Sequence, residues 1–306
     1  MNNKKWTFFF PVFLMLLFSC QQREDVRQYA ATESYPEDTV LEAIEVKRAM
    51  IVVAHDDDMC AVAGTASLLK KNGWEIAVMS FSKSPEQNAA QLKACSSLSD
   101  TVMFVDLKPE QYRNDLANVK EAYYAIPRED FGTVFNRSLV EPEFVNRINE
   151  FNPAVIFTLD NEMGGYGHPD HVFVSQLVLD LTLENLISPQ YIYQSVYTDH
   201  MENTIMKRHS ERMKSWGFPG DEWENAKRIY GVEGMPQPNV QLNITSESNV
   251  KMDYLRSYNK RERKILGFFI PEFEKYTATE YFTIFDREFY RIIEAEAYKM
   301  ANGQDL

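Results

Sequence analysis

Ala49-Met50-Ile51-Val52-Val53-Ala54 is an unbroken apolar run. A run this short without polar alternation fits a strand covered on both faces. The pattern returns at residues 75–81 and 101–106, with helices expected over 61–71, stopping at Asn72-Gly73, and over 85–98. Strand, helix, strand, helix, strand at these spacings is the mark of parallel βαβ units. The chain is therefore expected to be α/β, with a mostly parallel sheet and helices on both faces, and active groups at the carboxyl ends of strands.

The rest of the chain extends this plan. Residues 107–140 are irregular and rich in Tyr and charge, which suggests an insertion or lid near the site. A helix is expected over 141–151, a fourth strand over 154–158, a helix over 172–186 and a further strand over 191–197. A second insertion over 199–245 carries Trp216, Trp223, Pro236 and Pro238, either as a cleft wall or as a surface excursion with its own apolar cluster. Residues 248–273 and 286–300 read as helices that cover the sheet. With 306 residues, of which 44% are hydrophobic and 25% charged, the chain is long enough for one large α/β domain over 48–306.

The N-terminus follows other rules. Lys4-Lys5 precede an apolar run from Trp6 to Phe18, shorter than the roughly 20 residues that span a bilayer, so residues 1–19 read as a signal peptide. Its ending, Leu17-Phe18-Ser19-Cys20, resembles a bacterial lipobox, which makes Cys20 the lipidated N-terminus of an exported, membrane-anchored protein facing the periplasm or cell surface. Residues 20–47, polar and acidic, are expected to form a flexible tether. Loss of Lys4 and Lys5 leaves 30 basic against 45 acidic residues, a net charge of −15, which repels phosphate backbones and excludes nucleic acid as a partner. The remaining cysteines, Cys60 and Cys95, are too few for a disulfide scaffold and read as buried thiols.

Two strings carry the chemistry: His55-Asp56-Asp57-Asp58, directly after the first strand, and Gly164-Gly165-Tyr166-Gly167-His168-Pro169-Asp170-His171. His55 and Asp58, three apart at a strand-to-helix turn, are close enough to hold one ion. His171 can add a third ligand, which gives the two-His, one-Asp set of a catalytic zinc site. Asp57, between the first two, can aim a free carboxylate at the open position. Three successive aspartates behind a buried strand repel one another unless a cation or helix N-terminus absorbs their charge. The competing reading makes them caps of the following helix, which accounts for one aspartate but not for the whole group. His200 and His209 lie in a polar stretch and are expected to be solvated.

Ala54-His55-Asp56-Asp57-Asp58 followed by Ala63-Gly64-Thr65 resembles the Ala-His-Pro-Asp-Asp-Glu…Gly-Gly-Thr signature of the PIG-L/LmbE family. Gly167-His168-Pro169-Asp170-His171 resembles its second signature, and Asn152 to Thr158 the Pro-Asp-Val-Val strand before it. The resemblance implies a Rossmann-like, three-layer, zinc-dependent amidase that removes acetyl groups from N-acetylglucosamine-containing compounds. It implies His55, Asp58 and His171 as metal ligands and Asp57 as general base. Tyr166 and His168 would serve the carbonyl or leaving group, and Asp170 would orient His168 through a carboxylate–imidazole bond. Zn2+ is the implied metal, with Fe2+ the alternative, and an N-acetylated sugar or glycan the substrate. Three positions depart from the pattern: Asp56 stands for the usual proline, Met59 for the usual glutamate, and no arginine lies near Gln87.

Two other readings fit parts of the sequence. Two histidines and a carboxylate also describe non-haem iron(II) oxygenases, whose folds are usually all-β and which need no adjacent base. An exported lipoprotein with a cleft could also bind a glycan without catalysis, although a binder needs neither base nor third ligand.

Overall fold

The computed structural model describes residues 24–119 and 121–303. The expected signal peptide and Cys20 lie outside the described residues. Seven strands form one sheet: β1 (Arg48–Val52), β2 (Glu75–Phe81), β3 (Thr101–Val105), β4 (Val155–Leu159), β5 (Tyr191–Val196), β6 (Val240–Asn243) and β7 (Arg287–Glu294), in the order β3-β2-β1-β4-β5-β7-β6. Strands β1 to β5 run parallel, and β7 is antiparallel to both its neighbours. The expected α/β architecture is thus present.

The apolar runs explain the layering. Ala49, Ile51 and Val53 enter one core, while Met50, Val52 and Ala54 enter the other, as alternate residues of a strand must. Val155 and Phe157 divide from Ile156 in the same way. Helices Ala63–Lys71 and Ser248–Ser257 supply residues to the first core, and helices Arg137–Phe151 and Pro169–Leu183 supply most of the helical residues of the second.

Strand order places the site. The chain leaves β1 toward β2 and β3, then returns to place β4 on the other side of β1, so strand order reverses between β1 and β4. Their register, Ala49 opposite Val155 through Ile51 opposite Phe157, brings both carboxyl ends to one edge. His55 follows β1 and the glycine string follows β4, so the two strings meet at the crevice where such sheets bind ligands.

Several expectations are corrected. Residues 24–47 are no free tether: Val26, Tyr29, Leu41 and Ile44 are buried, the Tyr193 hydroxyl donates to Asp38 at 2.7 Å, and Glu37 bridges to Gln241. Scattered apolar residues in a polar segment are enough to bind it to the domain. The expected helix over 286–300 is strand β7 followed by helix Ala295–Asn302. Phe289, Tyr290, Ile292 and Ile293 favour a pleated surface, and β5 offers an edge onto which Val196 to Tyr191 pair with Phe289 to Glu294.

The 199–245 segment is no detached excursion. It supplies helices Asp199–Ser215 and Glu222–Tyr230 and then β6, and Trp223 is buried, donating to Glu202 at 3.0 Å. His200 and His209 are half-buried: His200 Nε2 bonds the Gln28 carbonyl at 2.9 Å, and His209 packs against Phe268 and Phe269. Cys60 and Cys95 are free; Cys95 is buried and Cys60 half-buried. No described helix is long and apolar enough to cross a membrane.

Candidate metal centre and amide site

The aspartates after β1 do not cap the helix behind them. Helix Ala63–Lys71 has Val62 at its N-cap with no side-chain bond, and its first N–H groups go instead to a distant carboxylate, Glu288 of β7, which accepts from Gly64 at 2.9 Å and Thr65 at 2.8 Å. Gly64 is required there, because a Cβ would lie 2.8 Å from Glu288 Oε1. With capping assigned to Glu288, the aspartate run is left for other work.

His55, Asp58 and His171 converge. His55 Nδ1 lies 2.9 Å from His171 Nε2, His171 Nε2 lies 3.2 Å from Asp58 Oδ1, and His55 Nδ1 lies 3.5 Å from Asp58 Oδ2. Tetrahedral ligands at zinc bond lengths are about 3.3 Å apart, so the spacing suits one small divalent ion. The second ring nitrogens reinforce this arrangement. His171 Nδ1 donates to the Gly164 carbonyl at 2.9 Å, which directs Nε2 at the Asp58 carboxylate. An imidazole nitrogen and a carboxylate oxygen this close are bridged by a proton or a cation, and the donor set therefore fits a metal.

Asp170 departs from expectation. Its carboxylate faces His55 Nε2 at 3.4 Å rather than His168. The reason is local: His168 is the N-cap of helix Pro169–Leu183, and its Nδ1 accepts the Asp170 backbone N–H at 3.2 Å, so that nitrogen has no proton to give a carboxylate. Asp170 is itself fixed by Arg113 Nη1 at 2.8 Å and by the Tyr112 hydroxyl at 3.1 Å. His168 stacks on His171 with ring centres 4.6 Å apart, and one nitrogen from each of His55, His168 and His171 falls within 4.8 Å of the others.

The glycine loop is held from below by Asp160, whose two oxygens accept N–H groups from Glu162, Met163, Gly164 and Gly165. Gly164 has φ +60°, and a Cβ there would meet His171 Cβ at 2.9 Å and Val172 N at the same distance. Only glycine lets the loop pass this close to the helix carrying His171. Tyr166 leaves the loop to stack on Phe269 at 4.3 Å.

Burial and charge set the protonation states. Burial opposes a charged His55, yet Asp58 and hydrogen bonds to Asp170 and Asp58 outweigh it and raise its pKa to about 9. Burial likewise opposes charge on Asp58, but His171 and His55 hold its pKa well below the usual carboxylate range. Asp57 moves the other way, pushed up by burial and by the charge of Asp58. Burial, with His171 beside it, keeps His168 neutral, and burial keeps the Tyr166 hydroxyl protonated. Among the described residues no hydrogen-bond donor reaches the Asp57 carboxylate, which lines the cavity, whereas Asp56 is buried against Lys83 Nζ at 3.0 Å.

Four residues here escaped the sequence reading: Lys83, Tyr112, Arg113 and Asp160. Asp160, one residue beyond β4, had a usable signal, an acidic side chain between a buried strand and a glycine turn. Arg113, with its side chain 1% exposed, had none, because a charge in an irregular segment looks solvated.

Residues 50–182 match the family described as PIG-L: GlcNAc-PI de-N-acetylase. This stretch holds the last three residues of β1, the whole of β2 to β4 and both strings. No curated protein matches the chain. Among solved structures, the chain is similar to the N,N'-diacetylchitobiose deacetylase of Pyrococcus horikoshii, with 14% identity, 87% of this chain and 93% of that one covered and a TM-score of 0.47. It is also similar to GalB, the 4-carboxy-2-hydroxymuconate hydratase of Pseudomonas putida KT2440, with 12% identity, coverage of 81% and 96% and a TM-score of 0.47. A deacetylase of teicoplanin biosynthesis follows with 12% identity, coverage of 81% and 98% and a TM-score of 0.45. Likenesses this distant carry no chemistry to this chain.

Proposed function

We propose that this chain is a metal-dependent amide hydrolase of the PIG-L type that removes the acetyl group from an N-acetylated amino sugar, glycan or glycolipid. The observation that carries the reading is the convergence of His55 Nδ1, Asp58 and His171 Nε2 beside an unbonded Asp57 carboxylate. The match of residues 50–182 to a de-N-acetylase family supports it. His55, Asp58 and His171 would hold the ion, with His168 at its margin. Zn2+ suits the donor set, with Fe2+ the alternative. When bound, it would supply Lewis acidity to the water and carbonyl.

The remaining work belongs to the protein's own groups. Asp57, its pKa raised by burial, takes a proton from the attacking water. His168 must carry its proton on Nε2, because Nδ1 accepts the helix-cap bond, so it acts as a hydrogen-bond donor. Giving the amine a proton would require a doubly protonated imidazole, which would cost that bond. Asp57, once protonated, is the acid that remains. Tyr166, kept in its hydroxyl form by burial, would donate to the oxyanion. Asp170 orients His55.

The free base favours hydrolysis over the glycan-binding and iron-oxygenase readings, neither of which needs one. Acetate release from N-acetylated amino sugars of increasing size, with chelator and zinc add-back, tests the proposal. Release that persists after chelation, or no release across the panel, refutes it. Export, with Cys20 lipidated after loss of residues 1–19, belongs to the same proposal. Mass measurement of the mature N-terminus and membrane fractionation of a Cys20→Ser variant test it.

A further inference from the structure

Two cavities share Asp57, Tyr166, Ile265 and Phe269 yet differ in chemistry. One also carries Lys83, Glu121, Tyr123, His168, His209 and Trp216, a mixture of charge and aromatic faces suited to a polyhydroxylated ring and its amine. The other, about 100 Å³, is lined by Asp57, Asp58, Tyr166 and His171 and is otherwise walled mainly by Leu159, Val196, Met206, Met235, Leu266 and Phe269. Two hydroxyls on that wall are already committed, Ser195 to the Ala61 carbonyl at 3.4 Å and Tyr197 to the Phe269 carbonyl at 2.9 Å.

An amide has two ends, and a carbonyl placed at Tyr166 and Asp57 would direct one into each cavity. A single methyl group uses little of a wall built from six apolar side chains. We propose that the apolar cavity receives the acyl half of the scissile amide and that the preferred substrate carries an N-acyl chain several carbons longer than acetyl. This rests on the hydrolase reading above. Met206 and Met235, unbranched and flexible, let the wall adapt to chain length. In the reaction the water oxygen bonds to the acyl carbon as the C–N bond breaks. One water proton passes to the departing nitrogen, and the products are a carboxylic acid and a free amine.

The test is amine release by the zinc-loaded protein from methyl glucosaminides bearing N-acetyl, N-butanoyl, N-hexanoyl and N-octanoyl groups, beside N-acetyl glucosaminides with octyl in place of methyl at the anomeric position. Each methylene buried in the cavity is expected to raise kcat/KM about fourfold until the cavity is full. Val196→Phe, which narrows the cavity, is expected to lower the octanoyl-to-acetyl ratio at least tenfold; if that variant does not fold, the length series decides alone. A kcat/KM that is flat or falls with acyl length overturns the acyl assignment while leaving deacetylation standing. A rise only with the anomeric alkyl group overturns it in favour of a lipid on the sugar side. No amine from any substrate, with zinc bound, overturns the hydrolase reading and this inference together.

Discussion

Replacing Asp170 with Asn removes one charge from a buried chain of contacts, Arg113 to Asp170 to His55, without changing its shape. The Arg113 and Asp170 side chains are 1% and 6% exposed, so solvent does not screen the loss. A fully orphaned buried charge costs roughly 3–5 kcal/mol. Arg113 keeps the Asp115 carboxylate at 2.7 and 3.0 Å and the Ala122 carbonyl at 2.6 Å, and the new amide oxygen still accepts. The expected destabilisation is therefore smaller, about 2 kcal/mol, near that of one charge-assisted hydrogen bond. Zinc affinity should fall more tellingly, by about 10- to 100-fold, because His55 Nε2 loses the carboxylate that fixes its orientation and basicity. Urea unfolding of the metal-free protein measures the first quantity and competition against a chromogenic chelator the second. Arg113→Met separates them: it should lose stability without the same loss of zinc affinity. Wild-type zinc affinity in Asp170→Asn would show that Asp170 only supports the fold, and the proposed orientation of His55 would be wrong.

Asp57→Asn should lower hydrolysis by about 10²- to 10⁴-fold while zinc titration stays as in wild type; retained activity would remove Asp57 as the base. Gly164→Ala, forced to φ +60° against His171 and Val172, should cost about 1–3 kcal/mol of stability in thermal unfolding and weaken zinc binding, since the Gly164 carbonyl holds His171. Burial, with Arg212 and Arg208 nearby, lowers the His209 pKa to about 4 from 6.5. Between these values the unfolded chain binds the extra proton, so its contribution to stability is full above pH 6.5 and is lost as pH falls toward 4, at most about 1.4 kcal/mol per pH unit. His209→Phe should flatten that slope in denaturation midpoints measured from pH 7 to 4, and an unchanged slope would discard the explanation.

Much of the parallel half was legible because its strands are buried on both faces. Runs such as 49–54 and 154–158 announce themselves without help from neighbours. The antiparallel edge was not. Residues 287–294 contain apolar residues at spacings that also suit a helix, and what makes them a strand is the open edge of β5, which lies far away in sequence. Residues 24–47 were misread for a related reason: their few apolar side chains stabilise only against a surface that other segments build.

The sequence by itself determined which groups gather at the candidate centre. Histidines and aspartates set directly after apolar strands, and glycines beside them, restrict the local chain so tightly that His55, Asp57, Asp58 and His171 have few other places to go. Only the tertiary structure decided how those groups are supported. Asp170 faces His55 rather than His168 because a helix cap occupies the nearer imidazole, and Arg113, from an irregular segment, neutralises Asp170 because the fold buries both. The difference is one of range: donor identity and backbone turn are local properties of the chain, whereas burial, and the pairing of charge that burial demands, exist only once distant segments have packed.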